Sequence, residues 1–150
     1  MNAAALPPDR HSIDEILEHA RARLDRVEPA QLGRELASGA LVVDIRPVEQ
    51  RMCDGHLPGA MVIDRNVLEW RLDPSCENHI PQVTGHDMRI VIVCNEGFSS
   101  SLAAATLRDL GLRRATDMVG GYQAWLAFGP RRVDTAMTSQ APTTSATPRN

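Results

Sequence analysis

The sequence predicts an α/β domain in which a mainly parallel sheet is covered by helices on both faces. Short runs rich in Val and Ile, such as LVVDI at 41–45 and RIVIV at 89–93, lack polar alternation, which indicates strands buried on both sides. Helix-forming segments separate these runs, and this alternation is typical of an α/β fold. With 150 residues and 43% hydrophobic content, the chain can bury one core, so one domain is expected.

The N-terminal part of the chain is predicted to be a flexible lead followed by a helix. Residues 1–11 contain two prolines and several small residues, without apolar periodicity. Ser12 and Glu15 have the spacing of a capping box, and apolar residues recur at helical spacing after them. The pattern therefore predicts an N-terminal amphipathic helix over 12–26.

The middle of the chain alternates between predicted strands and helices. Val27 is expected to form a short extended piece, and Pro29 is expected to open a second helix that ends near Gly39. Four runs are predicted as strands: 41–45, 60–63, 89–93 and 115–119. The helices predicted between and after them are 48–52, 67–72, 100–110 and 122–128. Residues 130–150, rich in Pro, Thr, Ser and Ala, are predicted to be a disordered tail.

Composition and charge restrict the function classes. The formal net charge is −3, from 16 basic and 19 acidic residues spread along the chain, which argues against a nucleic-acid partner. No run approaches the length of about 20 apolar residues that a membrane helix needs, and the N-terminus lacks a signal-peptide pattern. Three cysteines at irregular spacing indicate free thiols in a reducing compartment. A cytoplasmic protein that acts on a small substrate is therefore expected.

The segment after the third predicted strand carries the clearest chemical signal. The strand 89–93 ends at Cys94, Gly97 allows a turn, and a helix is predicted to begin near Ser99 or Ser100. The cysteine thus lies at the carboxyl end of a strand and faces a helix N-terminus, which is where open α/β sheets bind ligands. Main-chain amides and the helix dipole there favour an anion and lower a thiol pKa. Cys94 is the predicted nucleophile, and its substrate is predicted to be an anion or a persulfide.

Four motifs in this order resemble the rhodanese superfamily. They are Asp44-x-Arg46 after an early strand, the turn GHLPGA at 55–60, the loop CNEGFS at 94–99 and the closing segment GGYQAW at 120–125. The resemblance implies a three-layer rhodanese-like domain over 28–129, with a five-stranded, mainly parallel sheet and helices on both faces. It also implies that residues Asn95, Glu96, Gly97, Phe98, Ser99 and Ser100 form the substrate-binding loop, with Asp44, Arg46 and His56 in supporting positions.

The resemblance further implies a two-step sulfur transfer. The Cys94 thiolate takes sulfur from a small sulfur-containing anion such as thiosulfate, or from a persulfide, and an acceptor such as cyanide, a thiol or a protein then removes it. The family needs no metal or organic cofactor. Many family sulfurtransferases carry Arg where this chain has Ser99, and Glu96 opposes a doubly charged anion. Thiosulfate is therefore less favoured as donor than a neutral or protein-bound persulfide, and Glu96→Ala or Glu96→Lys is expected to raise activity with thiosulfate.

Several alternatives remain beside this interpretation. Cys94 could be a small core residue, and a rhodanese-like fold could serve as a non-catalytic or relay interaction module. A phosphatase would need Arg directly after a longer loop, at the position of Ser100. The pairs Cys53-x-x-His56 and Cys76-x-x-His79 have ligand-like spacing, but a hydrogen-bonding role in the GHLPGA turn is favoured for His56 over zinc. Asp44 and Arg46 could form either a structural pair or an anion clamp.

Overall fold

The computed structural model describes residues 9–129 and forms one parallel sheet between two layers of helices. The strands, in chain order, are β1 Leu41–Asp44, β2 Met61–Val62, β3 Ile90–Val93 and β4 Ala115–Asp117. The helices are α1 Ile13–Ala22, α2 Leu32–Ala37, α3 Val48–Asp54, α4 Leu68–Leu72, α5 Ser99–Asp109 and α6 Gly121–Phe128. Single 3₁₀ turns at Pro29–Gln31 and Arg65–Val67 lead into α2 and α4.

All pairs of neighbouring strands in the sheet are parallel, in the order β2-β1-β3-β4. In the centre, Leu41 lies opposite Ile90 and Asp44 lies opposite Val93. Because the strands are parallel, the residues that follow β1, β3 and β4 meet at one edge of the sheet. This edge holds the Cys94 loop.

The strands bury both faces, as their uninterrupted apolar runs predict. On one face Val43, Ile90 and Ile92 pack in a cluster with residues of α4 and α5. On the other face Val42, Val91 and Val93 pack in a second cluster that includes residues of α2 and α6. The α/β class with helices on both faces is therefore confirmed, and the central strand β3 is fully buried.

The expected five strands are wrong: within residues 9–129 the sheet has four. The remaining candidate, at Val27, makes only an isolated parallel bridge to Met118. Its amide donates to the Asp117 carbonyl and its carbonyl accepts from the Val119 amide. Pro29 follows two residues later, cannot donate to a ladder, and starts a 3₁₀ turn, so the pairing cannot extend.

The first helix is shorter than the predicted segment 12–26. Ser12 caps it as expected, because its hydroxyl accepts from the Glu15 amide at 3.1 Å. The helix ends at Ala22, where the amides of Arg23 and Leu24 turn back to carbonyls three residues earlier. The next residues must cross to the sheet so that Val27 can reach Met118, and a continued helix would prevent this.

The predicted tail 130–150 and most of the predicted lead lie outside the described residues. Within 9–129, no helix is both long enough and apolar enough to cross a bilayer.

Candidate active site

Cys94 lies at the end of β3, inside a loop whose main-chain amides turn towards its sulfur. The Gly97 amide donates to Cys94 Sγ at 3.1 Å, and the Ser100 amide donates to it at 3.4 Å. The cysteine is 6% exposed, so these amides replace water around the sulfur. Gly97 has φ +84°, and an added Cβ would lie 2.6 Å from the Gly120 nitrogen, so glycine is required there for both conformation and space.

The surroundings of Cys94 stabilise its thiolate. Burial alone raises the pKa of the thiol, but hydrogen bonds from the hydroxyls of Ser100 and Ser99 and from the amides of Ser100 and Gly97 outweigh it. The net pKa of Cys94 is therefore lower than that of a free cysteine. The Ser100 hydroxyl also donates to Asp117 at 2.7 Å, and one hydroxyl hydrogen cannot serve both acceptors at once. The amides and the Ser99 hydroxyl are thus the donors that remain with the sulfur.

The start of α6 supports this loop from outside. The Tyr122 amide donates to the Cys94 carbonyl at 2.8 Å, and the Gln123 amide donates to the Asn95 carbonyl at 3.0 Å. Gly121 approaches so closely that an added Cβ would lie 2.5 Å from the Cys94 carbonyl oxygen. The glycine pair of the GGYQAW segment therefore allows α6 to bind the loop carbonyls, which leaves the loop amides free to face the sulfur.

Asp117, at the end of β4, is a buried carboxylate that sequence reasoning missed. It is 0% exposed, and it accepts hydrogen bonds from the hydroxyls of Ser100 and Ser101 at 2.7 Å each. Arg26 forms a bidentate ion pair with it, at 2.9 and 3.1 Å. The detectable signals were a carboxylate within the apolar run 115–119 and three consecutive serines at the helix start.

Two arginines from the N-terminal segment reach the loop, which sequence reasoning also missed. Arg21 Nη2 donates to the Gly97 carbonyl at 2.7 Å, and Arg26 Nη2 donates to the same oxygen at 3.1 Å. The Arg21 guanidinium also lies over the Phe98 ring, 5.5 Å from its centroid. No local pattern in the sequence indicates these contacts.

Asp44 and Arg46 form a buried pair beside the loop. Arg46 Nη2 lies 2.8 Å from Asp44 Oδ2, and both side chains are almost completely buried. The same nitrogen donates to the Gly55 carbonyl at 2.9 Å, and the guanidinium carbon lies 3.6 Å from the centroid of the Tyr122 ring. Arg46 therefore connects β1 to the GHLPGA turn and to α6, and its guanidinium does not face solvent.

The remaining predicted site residues line the outer side of the loop. Glu96, Phe98 and Ser99 are exposed, and the Asn95 side-chain oxygen accepts from Gln123 Nε2 at 3.0 Å. His56 is exposed, and its ring makes no hydrogen bond to another of residues 9–129. The structure brings Cys94 and the loop together, whereas His56 is a surface residue of the neighbouring turn.

The two Cys-x-x-His pairs have different surroundings. Cys53 is exposed, the Cys76 sulfur accepts from the Asn78 amide at 3.4 Å, and His79 Nδ1 lies 2.9 Å from the Ile80 carbonyl oxygen. Across residues 9–129, no group of three or more His, Cys, Asp or Glu side chains is placed to hold a metal ion.

The fold and this loop define an α/β protein with a buried cysteine at the end of a parallel strand, whose sulfur accepts hydrogen bonds from two main-chain amides. Residues 28–128 match the sequence profile of the rhodanese-like domain. The chain belongs to the rhodanese family, as its four motifs predict.

Similar proteins differ in how much of their length the match covers. The thiosulfate sulfurtransferase GlpE of Ectopseudomonas mendocina is 30% identical over 105 residues, which is 70% of this chain and 87% of GlpE. The adenylyltransferase and sulfurtransferase UBA4 of Candida albicans is 32% identical over 85 residues, 57% of this chain but only 19% of UBA4. The solved structure of RPA3614 from Rhodopseudomonas palustris, described as a protein of unknown function and possible tyrosine phosphatase, has a TM-score of 0.71 and 29% identity. That similarity covers 83% of this chain and 97% of RPA3614.

Proposed function

We propose that this protein is a sulfurtransferase that carries sulfane sulfur as a persulfide on Cys94. The observation that carries the proposal is the cradle of amides around a buried sulfur whose pKa is lowered. A terminal persulfide sulfur is an anion at neutral pH, and such a cradle binds an anion without a cationic side chain. The names of the GlpE and UBA4 relatives support the same activity.

The reaction needs no oxidant, because each step exchanges one sulfur bond for another. The Cys94 thiolate attacks the outer sulfur of the donor, and the donor S–S bond breaks. The electron pair of that bond leaves with sulfite, or with the thiolate of the donor. An acceptor nucleophile then attacks the terminal sulfur, and its attack restores the Cys94 thiolate. The Gly97 and Ser100 amides stabilise the sulfur anion before and after transfer.

The loop favours a donor with less negative charge than thiosulfate, and this extends the proposal to the substrate class. Residues 95–100 contain no cationic side chain, and Glu96 adds a negative charge at the exposed rim. Phe98, 55% exposed, provides an apolar surface beside the entrance. A low-molecular-weight or protein-bound persulfide fits this rim better than doubly charged thiosulfate.

The three cysteines are free, which supports a reducing location such as the cytoplasm.

A donor screen read by intact-protein and peptide mass spectrometry tests the proposal. We expect a low-molecular-weight persulfide, and more slowly thiosulfate, to add the mass of one sulfur atom at Cys94. Cyanide should then remove that sulfur and yield thiocyanate. If no donor adds sulfur to Cys94, or if sulfur is added only at Cys53 and Cys76, the proposed function is wrong.

Removal of the Glu96 charge is expected to speed the reaction with thiosulfate. In Glu96→Ala, the rate of Cys94 loading by thiosulfate should rise about two- to fivefold at low salt, because the repulsion of a doubly charged anion is weakened. Loading by a low-molecular-weight persulfide, whose reacting group carries at most one negative charge, should change less. The rates are measured by quenched-flow sampling and mass spectrometry.

Asp109→Ala is the matched control for that prediction. It removes one exposed carboxylate from the opposite end of α5, about 15 Å from the loop by helix geometry. We expect its thiosulfate rate to equal that of the unsubstituted protein. An unchanged or lower rate in Glu96→Ala, or an equal gain in Asp109→Ala, would contradict a local electrostatic effect of Glu96.

Phosphatase activity is the alternative that the description of RPA3614 raises. A phosphatase of this kind grips phosphate with an Arg directly after its loop. Ser100 stands at that position, is 0% exposed, and directs its hydroxyl to Asp117. We therefore expect no hydrolysis of an aryl phosphate in a chromogenic assay.

A non-catalytic or relay module is the other alternative. Turnover with cyanide in the donor screen distinguishes an enzyme from such a module.

A further inference from the structure

Arg21 lies outside the matched rhodanese-like domain, and within residues 9–129 its side-chain hydrogen bonds go to the active-site loop and to the helix that follows. Besides the 2.7 Å hydrogen bond to the Gly97 carbonyl, its Nε donates to the Ser101 hydroxyl at 3.1 Å. Its guanidinium also lies over one face of the Phe98 ring, 5.5 Å from the ring centroid. The last turn of α1 thus places a cation against the segment that surrounds Cys94.

The contact with the Gly97 carbonyl sets the direction of a loop amide. The carbonyl of Gly97 and the N–H of Phe98 belong to one planar trans peptide group, so they point in opposite directions. When Arg21 and Arg26 hold the oxygen on their side, the Phe98 N–H turns to the other side of the loop. A carbonyl that accepts from cations also polarises its peptide group and makes this N–H a stronger donor.

Arg21 and Arg26 differ in whether an acidic side chain neutralises their charge. The positive charge of Arg26 is neutralised by a direct ion pair with the buried Asp117 carboxylate. Arg21 has no Asp or Glu oxygen within 4.0 Å among residues 9–129, so its positive charge is not cancelled by a direct partner. Burial and the neighbouring Arg26 lower the Arg21 pKa, while Asp117 and the Cys94 thiolate raise it. The loop itself has no cation, so Arg21 is positioned to supply one.

We propose that Arg21 is a positioning residue for sulfur transfer, which holds the Gly97–Phe98 peptide with its N–H towards the persulfide and supplies the positive charge that residues 95–100 lack. This inference rests on the proposed function for its role in transfer. Its effect on the Cys94 thiolate is independent of any donor. The N-terminal helix is thereby part of the working site, although it precedes residues 28–128.

The pH dependence of Cys94 alkylation tests the effect on the thiolate. Iodoacetamide is uncharged, and peptide mass spectrometry separates Cys94 from Cys53 and Cys76. In Arg21→Gln, the midpoint of the alkylation rate is expected to rise by about half to one pH unit, because a cation near the thiolate is lost. Arg21→Lys keeps the positive charge but loses the planar guanidinium. We expect its midpoint to lie between those of the unsubstituted protein and Arg21→Gln.

Two controls separate this role from loosening of α1. Arg23→Gln removes an arginine from the end of the same helix that pairs with Asp109, and its midpoint should not move. Leu17→Ala weakens the packing of α1 through a buried residue that does not contact the loop by hydrogen bonding, and its midpoint should also stay. If the Arg21→Gln midpoint equals that of the unsubstituted protein, or if Leu17→Ala shifts it equally, the inference is overturned.

Donor loading provides the second readout, measured on the same variants. Loading of Arg21→Gln by thiosulfate should fall about five- to tenfold at a pH above both alkylation midpoints, where the thiolate fraction is equal. Loading by a low-molecular-weight persulfide, whose reacting group carries less negative charge than thiosulfate, should fall less, and equal losses for both donors would overturn the charge role. If the alkylation midpoint shifts but no donor loads the unsubstituted protein, the proposed function fails while the effect of Arg21 on the thiolate stands. If Arg21→Gln does not fold, Arg21→Lys is the deciding variant. An alkylation midpoint and loading rates equal to those of the unsubstituted protein would contradict a need for the planar guanidinium at this position.

Discussion

Cys94→Ser is expected to lose sulfur transfer by at least about 1,000-fold, the scale on which removal of a covalent nucleophile acts. A serine oxygen cannot form the persulfide bond, and its hydroxyl does not ionise near neutral pH. The fold should persist, because the serine oxygen can accept hydrogen bonds from the same amides of Gly97 and Ser100. Thiocyanate formation and the mass of the sulfur-loaded protein are the measurements.

Cys53→Ser is the matched control, because it makes the same chemical change at an exposed cysteine. We expect its turnover and its loading at Cys94 to match those of the unsubstituted protein. Full turnover in Cys94→Ser would refute the mechanism. A comparable loss in Cys53→Ser would place the carried sulfur on another residue.

Arg26→Met is expected to lower the free energy of unfolding by about 3–5 kcal/mol at neutral pH, the scale measured when one partner of a buried ion pair is removed. It leaves the Asp117 carboxylate fully buried, with only the hydroxyls of Ser100 and Ser101 as direct partners. The methionine keeps most of the length of the arginine side chain, so loss of packing contributes less. Equilibrium denaturation in urea measures the change.

A double variant isolates the buried charge as the cause. Arg26→Met combined with Asp117→Asn removes both charges and should be more stable than Arg26→Met alone, because no unpaired carboxylate remains buried. Arg65→Met is the surface control: its Glu69 pair is partly exposed, and we expect a loss below about 1 kcal/mol. A double variant no more stable than Arg26→Met would show that the unpaired charge does not cause the loss.

The sequence was sufficient for the fold class and for the position of Cys94 at the end of a buried strand. Both depend on contiguous patterns: the apolar run 89–93 indicates a strand buried on both faces, and the segment from Cys94 to Ser100 contains a turn and a helix start. The hydrogen bonds from the Gly97 and Ser100 amides to the sulfur span three and six residues. Such local geometry follows from residues that are close to one another in the sequence.

The sequence predicted one strand too many in the sheet and too long a first helix. The extent of each of these elements depends on contacts with residues that are distant in the sequence. Val27 has a strand-like environment, yet Pro29 limits its pairing to one bridge with Met118. The helical pattern over 12–26 continues past Ala22, but the chain must leave the helix to reach that bridge. Propensity is a weak guide where tertiary contacts set the end of an element.

By itself, the sequence determined the α/β class, the family and the loop that presents Cys94. Only the tertiary structure decided what supports that loop: Arg21 meets Gly97 across 76 residues, and Arg26 meets Asp117 across 91. Periodicity and spacing describe residues within one element. These partners instead lie on α1, on the segment 23–27 that leads from α1 to the sheet, in the Cys94 loop and at the end of β4. A charged side chain on an amphipathic helix has the same sequence pattern whether it faces water or a buried loop, and only packing distinguishes the two.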